Sequence, residues 1–194
     1  MRIITGKFKK ANLFAVPGKT ARPTTDYIKE VIFSVISSCS GKNILDIYAG
    51  SGSLGFETLS RGAIFVDFVD FSSKSIQTMK RNIEKLKCTS DCKIHRKKVS
   101  AFINSTDKKF DLIFMDPPYN KDLVNSTIER IIENELLTRN GHIVIEHSPR
   151  EKLLEKWNTM TTYNKNYGSS VITVLANNIF SDEWMELGWK FIIP

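Results

Sequence analysis

The sequence predicts an α/β fold: an open, mostly parallel sheet of seven strands, with helices on both faces and an antiparallel pair at its C-terminal edge. Three observations carry the prediction. Short apolar runs alternate with longer amphipathic ones from residue 26 to residue 157, as strand and helix do in parallel α/β sheets. The last two β-rich segments are joined through YGSS (167–170) rather than through a helix, which suits an antiparallel pair. A chain of 194 residues with 41% hydrophobic content fills the core of one domain and is short for two.

Taking the elements in order, Ile28, Val31, Ile32, Val35 and Ile36 recur at helical spacing after RPTTD, so a helix is expected over 26–38. Thr24 or Thr25 can cap it, and Asp26 faces the positive end of its dipole. NILDIY (43–48) reads as a strand and SLGFETLSRG (53–62) as a helix closed by Gly62. IFVDFVD (64–70) is the next strand, followed by SKSIQTMKRNIEKLK (73–87), a helix with Ile76, Met79, Ile83 and Leu86 on one face. CKIH (92–95) gives a short strand and SAFIN (100–104) a short helix. FDLIFMD (110–116) is a strand, KDLVNSTIERIIENELL (121–137) a helix and GHIVIEH (141–147) a strand. REKLLEKW (150–157) reads as a further helix, ahead of the β-rich segments near 159–167 and 170–176. Three regions follow: a basic extension over 1–24 with the length for a β-hairpin, a domain over 25–178, and a tail over 179–194 without a clear period.

Composition narrows the setting. The opening MRIITGKFKK has no apolar run of the signal-peptide kind, no segment is apolar for membrane-spanning length, and a cytoplasmic protein is expected. Cys39, Cys88 and Cys92 make an odd count, which argues against a disulfide framework and for reduced thiols. The spacing Cys88, Cys92, His95 lacks the second cysteine pair of a zinc site, so no metal is expected. A net charge of +7 points to an anionic partner. Its distribution is telling: Arg2, Lys7, Lys9, Lys10, Lys19 and Arg22 fall in residues 1–24 with no acidic residue, interleaved with Phe8 and Phe14. Such a segment is a candidate phosphate-binding surface.

ILDIYAGSGSLGFE (44–57) spaces Gly50, Gly52 and Gly55 as G-x-G-x-x-G after a strand and into a helix, a turn that brings backbone and nucleotide together. A dinucleotide site would seat pyrophosphate on those amides. Asp46 lies four residues before Gly50, where a carboxylate repels pyrophosphate and attracts an ammonium group. S-adenosylmethionine carries an ammonium and no phosphate. Asp70 ends the next strand, eighteen residues after Gly52, where a carboxylate accepts ribose hydroxyls in either kind of site. The combination favours S-adenosylmethionine, with Asp46, Ala49, Gly50, Ser51, Gly52, Asp70 and Phe71 as the candidate cofactor-binding residues.

The chemistry is expected one strand away. Asp116-Pro117-Pro118-Tyr119 closes the fourth strand on the same rim, and two prolines make a stiff loop rich in acceptors and poor in donors. The Asp116 carboxylate and the Pro117 carbonyl can each accept an N–H of an exocyclic amine, aiming the nitrogen lone pair at a methyl donor. Tyr119 can stack on the base, a contact worth about 1–3 kcal/mol.

These residues resemble a known family, the RsmD-like bacterial methyltransferases that modify guanine N2 in 16S ribosomal RNA. The likeness is carried by MRIITGKFKK, ARPTTDYIKEVIFS, ILDIYAGSGSLGFETLSRGA, FDLIFMDPPY, GHIVIEHS and YGSSVITVL, in order over residues 1–176. It implies a class I methyltransferase (Rossmann-like) fold, S-adenosylmethionine at Asp46, Gly50, Gly52 and Asp70, and guanine received by Asp116 to Tyr119. It implies RNA contact through the basic segment, with Arg22, Thr24 and Thr25 near cofactor or RNA, in a monomer acting on 16S ribosomal RNA within a small subunit or an assembly intermediate. One position departs: where such proteins place Asp or Asn to meet the adenine amine, this chain has Lys98. Backbone near Val99 then serves the adenine, or the adenine is held less tightly.

Rival readings share parts of the pattern. A DNA adenine methyltransferase would share D-P-P-Y but normally needs a target-recognition region, and no insertion supplies one. A release-factor glutamine methyltransferase typically has Asn where Asp116 stands. An RNA-binding module with a decayed cofactor site is favoured by Lys98 alone. His147 follows Glu146 at a strand end and is expected to be a structural histidine.

Overall fold

The computed structural model describes residues 1–18, 26–36 and 38–177. Lys19, Arg22, Thr24, Thr25 and the tail over 179–194 lie outside the described residues. Strands β1 (Asn43–Ile47), β2 (Phe65–Asp70), β3 (Cys92–Arg96), β4 (Phe110–Met115) and β5 (Leu137–His147) run parallel. β7 (Ser170–Ala176) lies antiparallel between β5 and β6 (Thr161–Tyr167). The order across the seven-stranded sheet is β3-β2-β1-β4-β5-β7-β6.

Among the described residues, five α-helices cover the two faces. Helices α1 (Asp26–Val35), α2 (Ser53–Ser60) and α3 (Ser73–Leu86) bury Ile32, Phe56, Leu59 and Met79 against Ile44, Phe68 and Phe114 of the sheet. On the other face α4 (Val99–Ile103) and α5 (Leu123–Glu133) bury Phe102, Ile103, Ile128 and Ile131 against Leu45, Val69 and Ile113. Adjacent strand residues thus feed opposite cores, because side chains alternate across a sheet. The strand order reverses at β1, whose neighbours are β2 and β4, and such a switch point opens a crevice beyond the carboxyl ends of the strands.

Two glycines set the start of α2. Gly52 caps it with φ 79°, a left-handed conformation that side-chain-bearing residues rarely adopt. A Cβ on Gly55 would sit 2.3 Å from Phe68 Cε1, so only glycine lets α2 lie this close to β2. At α3, Ser72 Oγ accepts the Ser75 N–H at 3.4 Å in the N-cap position.

Three expectations need correction. REKLLEKW is not an α-helix: a short 3-10 turn spans Glu155–Met160, and the residues before it are irregular. Asn125 of α5 explains this. Its side chain donates to the Lys152 carbonyl at 2.9 Å and accepts the Leu154 N–H at 2.9 Å and Trp157 Nε1 at 3.2 Å, so side-chain bonding replaces the helical ladder. Helix α5 ends at Glu133, short of the expected residue 137. The left-handed Glu135 (φ 51°) turns the chain, and Leu137 opens β5 opposite Phe110. Helix α1 likewise stops at Val35 rather than 38.

Residues 1–14 fold back on themselves, with Arg2 bridging Asn12 in antiparallel fashion, and bury Ile3 and Leu13 in the core beneath α1, α2 and α3. Buried polar groups hold them there. The Glu57 carboxylate accepts the N–H groups of Ile4 at 2.8 Å and Thr5 at 3.1 Å, Lys29 donates to the Arg2 carbonyl, and Asn82 exchanges bonds with the backbone of Phe14.

Candidate active site

A cleft of about 1430 Å³ opens at the carboxyl rim of the sheet, over the switch point. Asp46, Ala49, Gly50, Ser51, Asp70, Phe71 and Val99 line it together with Asp116, Pro117, Pro118 and Tyr119. The cofactor and chemistry residues expected from sequence therefore share one cavity, apart from Gly52, which caps α2 behind the lining.

Strand register explains the convergence. Asp46 pairs with Phe68 of β2 and with Phe114 of β4, and Phe114 pairs with Val144 of β5. Two residues further along, Asp70, Asp116 and Glu146 carry the same parity, so all four acids belong to one face of the sheet. Cations are attracted to such a rim and polyphosphates are repelled.

The acids are not equivalent. Asp46 is 3% exposed; burial pushes its carboxyl up to about 8, the Gly55 N–H at 3.0 Å opposes the shift, and the charge of Asp70 adds to it. A cation arriving beside Asp46 favours the ionised form. Asp70 accepts the Gly50 N–H at 2.9 Å and the Ser72 N–H at 2.8 Å, tying the glycine turn to the end of β2 and the start of α3. A carboxylate has about four acceptor sites, so this anchoring leaves it able to take hydroxyl donors from a ribose. Phe71 beside it is 65% exposed, a flat apolar surface at the mouth of the cavity. Lys98 also lines the cleft, immediately before α4.

Across the cleft, Tyr119 is held by its hydroxyl, which lies 2.9 Å from Ser170 Oγ and 3.3 Å from Glu146 Oε1. Ser170 Oγ in turn donates to Glu146 Oε1 at 2.8 Å. Burial, with the charges of Glu146 and Asp116 acting against the Ser170 bond, pushes the phenol up to about 12. The ring is therefore a neutral, fixed wall beside the Asp116 carboxylate.

The basic residues divide. Arg2 pairs with Asp26 at 3.0 Å. Lys7 pairs with Asp91 at 3.0 Å, and its N–H bonds to the Ser60 carbonyl at the end of α2. α2 runs away from the carboxyl rim, so Lys7, Lys9 and Lys10 sit toward the amino ends of the strands, with Lys9 and Lys10 exposed. Between these lysines and the rim, α3 exposes Lys74, Lys80, Arg81 and Lys85, with Arg81 stacked 3.9 Å from the Phe14 ring centre.

Sequence reasoning missed Glu146, Ser170, Tyr48, Tyr27 and Tyr167, all of which line the cleft. Glu146 carried a usable signal, an acid at the carboxyl end of a strand. Tyr48 directly follows β1 inside the glycine motif, whereas Tyr27 is brought in by α1 and Tyr167 and Ser170 by the β6-β7 hairpin, which no local motif announces. His147 is a structural histidine: it is 3% exposed, its ring nitrogens lie 3.1 Å from the Ser148 carbonyl and 3.0 Å from Thr173 Oγ1, and desolvation lowers its pKa. His95 lies 2.7 Å from Asp67 rather than with the cysteines, all three of which are buried and free. Among the described residues, no helix is long and apolar enough to cross a membrane.

The parallel sheet with its antiparallel C-terminal pair, the glycine turn and the acidic rim define a class I, Rossmann-like methyltransferase architecture. A solved Escherichia coli structure assigned as the methyltransferase yhhF superposes with a TM-score of 0.80 at 26% identity, covering 91% of this chain and 97% of that one. The family model described as "Conserved hypothetical protein 95" matches residues 1–176, and the chain belongs to this family, that of the RsmD-like proteins. YlbH of Bacillus subtilis, assigned as an rRNA methyltransferase, is 37% identical over 179 residues, 90% of this chain and 97% of its own length. Ribosomal RNA small subunit methyltransferase D of Haemophilus influenzae is 32% identical over 163 residues, 81% of this chain and 84% of its own length.

Proposed function

We propose that the protein transfers the methyl group of S-adenosylmethionine to the N2 amine of a guanine in 16S ribosomal RNA. One observation carries the reading: Asp46 and Asp70 on one side of the switch point and Asp116 to Tyr119 on the other face a single cleft. The names of the Bacillus and Haemophilus relatives support ribosomal RNA as the substrate class. The donor set fits the cofactor, since the two acids bonded to the glycine turn, Asp46 and Asp70, suit a cationic nucleoside without phosphate. S-adenosylmethionine supplies an electrophilic methyl on its sulfonium, and the electron pair of the broken C–S bond stays on sulfur as the thioether.

The residues of the chain do the rest by placement. Asp46 faces the ammonium, Asp70 takes the ribose hydroxyls, and Phe71 with the backbone at Val99 borders the adenine. Asp116 and the Pro117 carbonyl accept the two N–H groups of the guanine amine, which turns its lone pair toward the methyl. After the new C–N bond forms, the surplus proton leaves the nitrogen for the Asp116 carboxylate or water. Holding the reactants in line supplies most of the rate enhancement. Tyr119 covers the face of a base that has left its stack to enter the cleft.

The band from Lys9 and Lys10 through α3 to the rim suits an RNA backbone, which a small catalytic domain reads largely by shape. The reading takes the protein as a cytoplasmic monomer acting on the small subunit or an assembly intermediate. Incubation of the full chain with radiolabelled S-adenosylmethionine and small subunits from cells lacking it tests the proposal. Label in 16S RNA, abolished by Asp116→Ala with folding intact, is expected; label in ribosomal protein alone overturns it.

A further inference from the structure

Glu146 stands beside Asp116 on the rim. Met115 of β4 pairs with Ile145 of β5, so the two acids occupy matching positions one residue further along, on strands about 4.8 Å apart. Both line the cleft. Glu146 is 7% exposed, and its Oε1 is fixed by Ser170 Oγ at 2.8 Å and by the Tyr119 hydroxyl at 3.3 Å.

The proposed function has Asp116 accepting an N–H of the exocyclic amine. An acceptor one strand spacing away then meets the ring atom next to that amine. In guanine this atom is N1–H, a donor; in 2,6-diaminopurine it is N1 with a bare lone pair, as it is beside the amine of adenine. We propose that Glu146 is the specificity-determining residue that accepts guanine N1–H, so that Asp116 and Glu146 together read two adjacent donors on one edge of the base. The inference rests on the guanine-N2 reading and extends it. A base with a lone pair at N1 would place two acceptors face to face in a desolvated site, and such mismatches are rejected strongly. Through Ser170 and Tyr119, the same carboxylate also fixes the aromatic wall, so the edge and the face of the base are set by one group.

The test uses small subunits reconstituted with ligated 16S RNA that carries guanine, 2,6-diaminopurine or inosine at the methylated position. 2,6-Diaminopurine keeps the N2 amine and loses N1–H; inosine keeps N1–H and loses the amine. Wild-type protein is expected to prefer guanine over diaminopurine by about a hundredfold in single-turnover rate, and Glu146→Gln, whose amide can donate to the bare N1, narrows that ratio about tenfold or more. Ser170→Ala slows both bases by the same factor. Wild-type protein alone provides a second arm: inosine subunits inhibit methylation of guanine subunits better than adenine subunits do. Equal losses on both bases in a folded Glu146→Gln protein, or equal inhibition by inosine and adenine subunits, overturn the inference and leave the guanine reading standing. Absence of N2-methylguanosine from wild-type reactions overturns both.

Discussion

The Asp70 carboxylate receives the backbone N–H of Gly50 at 2.9 Å, so the acid that ends β2 holds the glycine turn that follows β1. Its second oxygen takes the Ser72 N–H at 2.8 Å. Asp70→Asn replaces one acceptor oxygen with an amine that faces a donor. Hydrogen bonds to charged groups contribute about 1.5–3 kcal/mol, so S-adenosylmethionine affinity is expected to fall about tenfold or more by calorimetry, with circular dichroism unchanged.

Asp46 makes a prediction in pH. Its carboxyl is raised to about 8 in the folded chain against about 3.9 in an unfolded one. The folded state therefore holds the proton longer, and the stabilisation present below about pH 4 is lost as pH rises toward 8. Asp46→Asn, neutral throughout, removes this loss: its melting temperature exceeds that of the wild type by about 2 °C or more near pH 8, and the gap closes near pH 4. The same substitution abolishes cofactor binding. Wild-type binding near pH 6.5 releases a proton, seen as a buffer-dependent calorimetric heat, because the arriving ammonium favours the ionised carboxyl.

Glu57 is fully buried in α2 and serves the N-terminal segment rather than the cleft. Glu57→Ala leaves the N–H groups of Ile4 and Thr5 and the Arg61 guanidinium without their acceptor. Destabilisation by about 3 kcal/mol is expected, a loss of about 6–12 °C in melting temperature for a chain of this size. Glu57→Gln, which keeps one acceptor, loses less.

Tyr119 separates ring from hydroxyl. Tyr119→Phe keeps the stacking face and loses the Ser170 and Glu146 contacts, so turnover drops by no more than about tenfold. Tyr119→Ala loses a stacking contact worth about 1–3 kcal/mol and lowers kcat/KM further. Similar rates for the two variants would remove Tyr119 from base recognition.

Much of the lining of the candidate site was readable because strand ends are readable. Asp46, Asp70 and Asp116 each close or approach the end of an apolar run, and parallel strands bring such ends to one rim. Helix ends were less legible. Leu136 and Leu137 fit the apolar period of α5, yet the left-handed Glu135 turns the chain there and gives Leu137 to β5. The helical pattern of REKLLEKW yielded to the side chain of Asn125, about thirty residues away, a contact no local window contains. Ser170 and Tyr167 reach the cleft only because β7 inserts between β5 and β6, and a sequence predicts that pairing more readily than its position in the sheet.

The identity of the methylated nucleoside tests the central claim most directly. 16S RNA from small subunits treated with the full chain and labelled S-adenosylmethionine is digested to nucleosides and separated by chromatography. The acidic rim and the Asp116 loop predict label in N2-methylguanosine alone; label in N6-methyladenosine, or in no nucleoside while S-adenosylmethionine binds normally, would contradict the account.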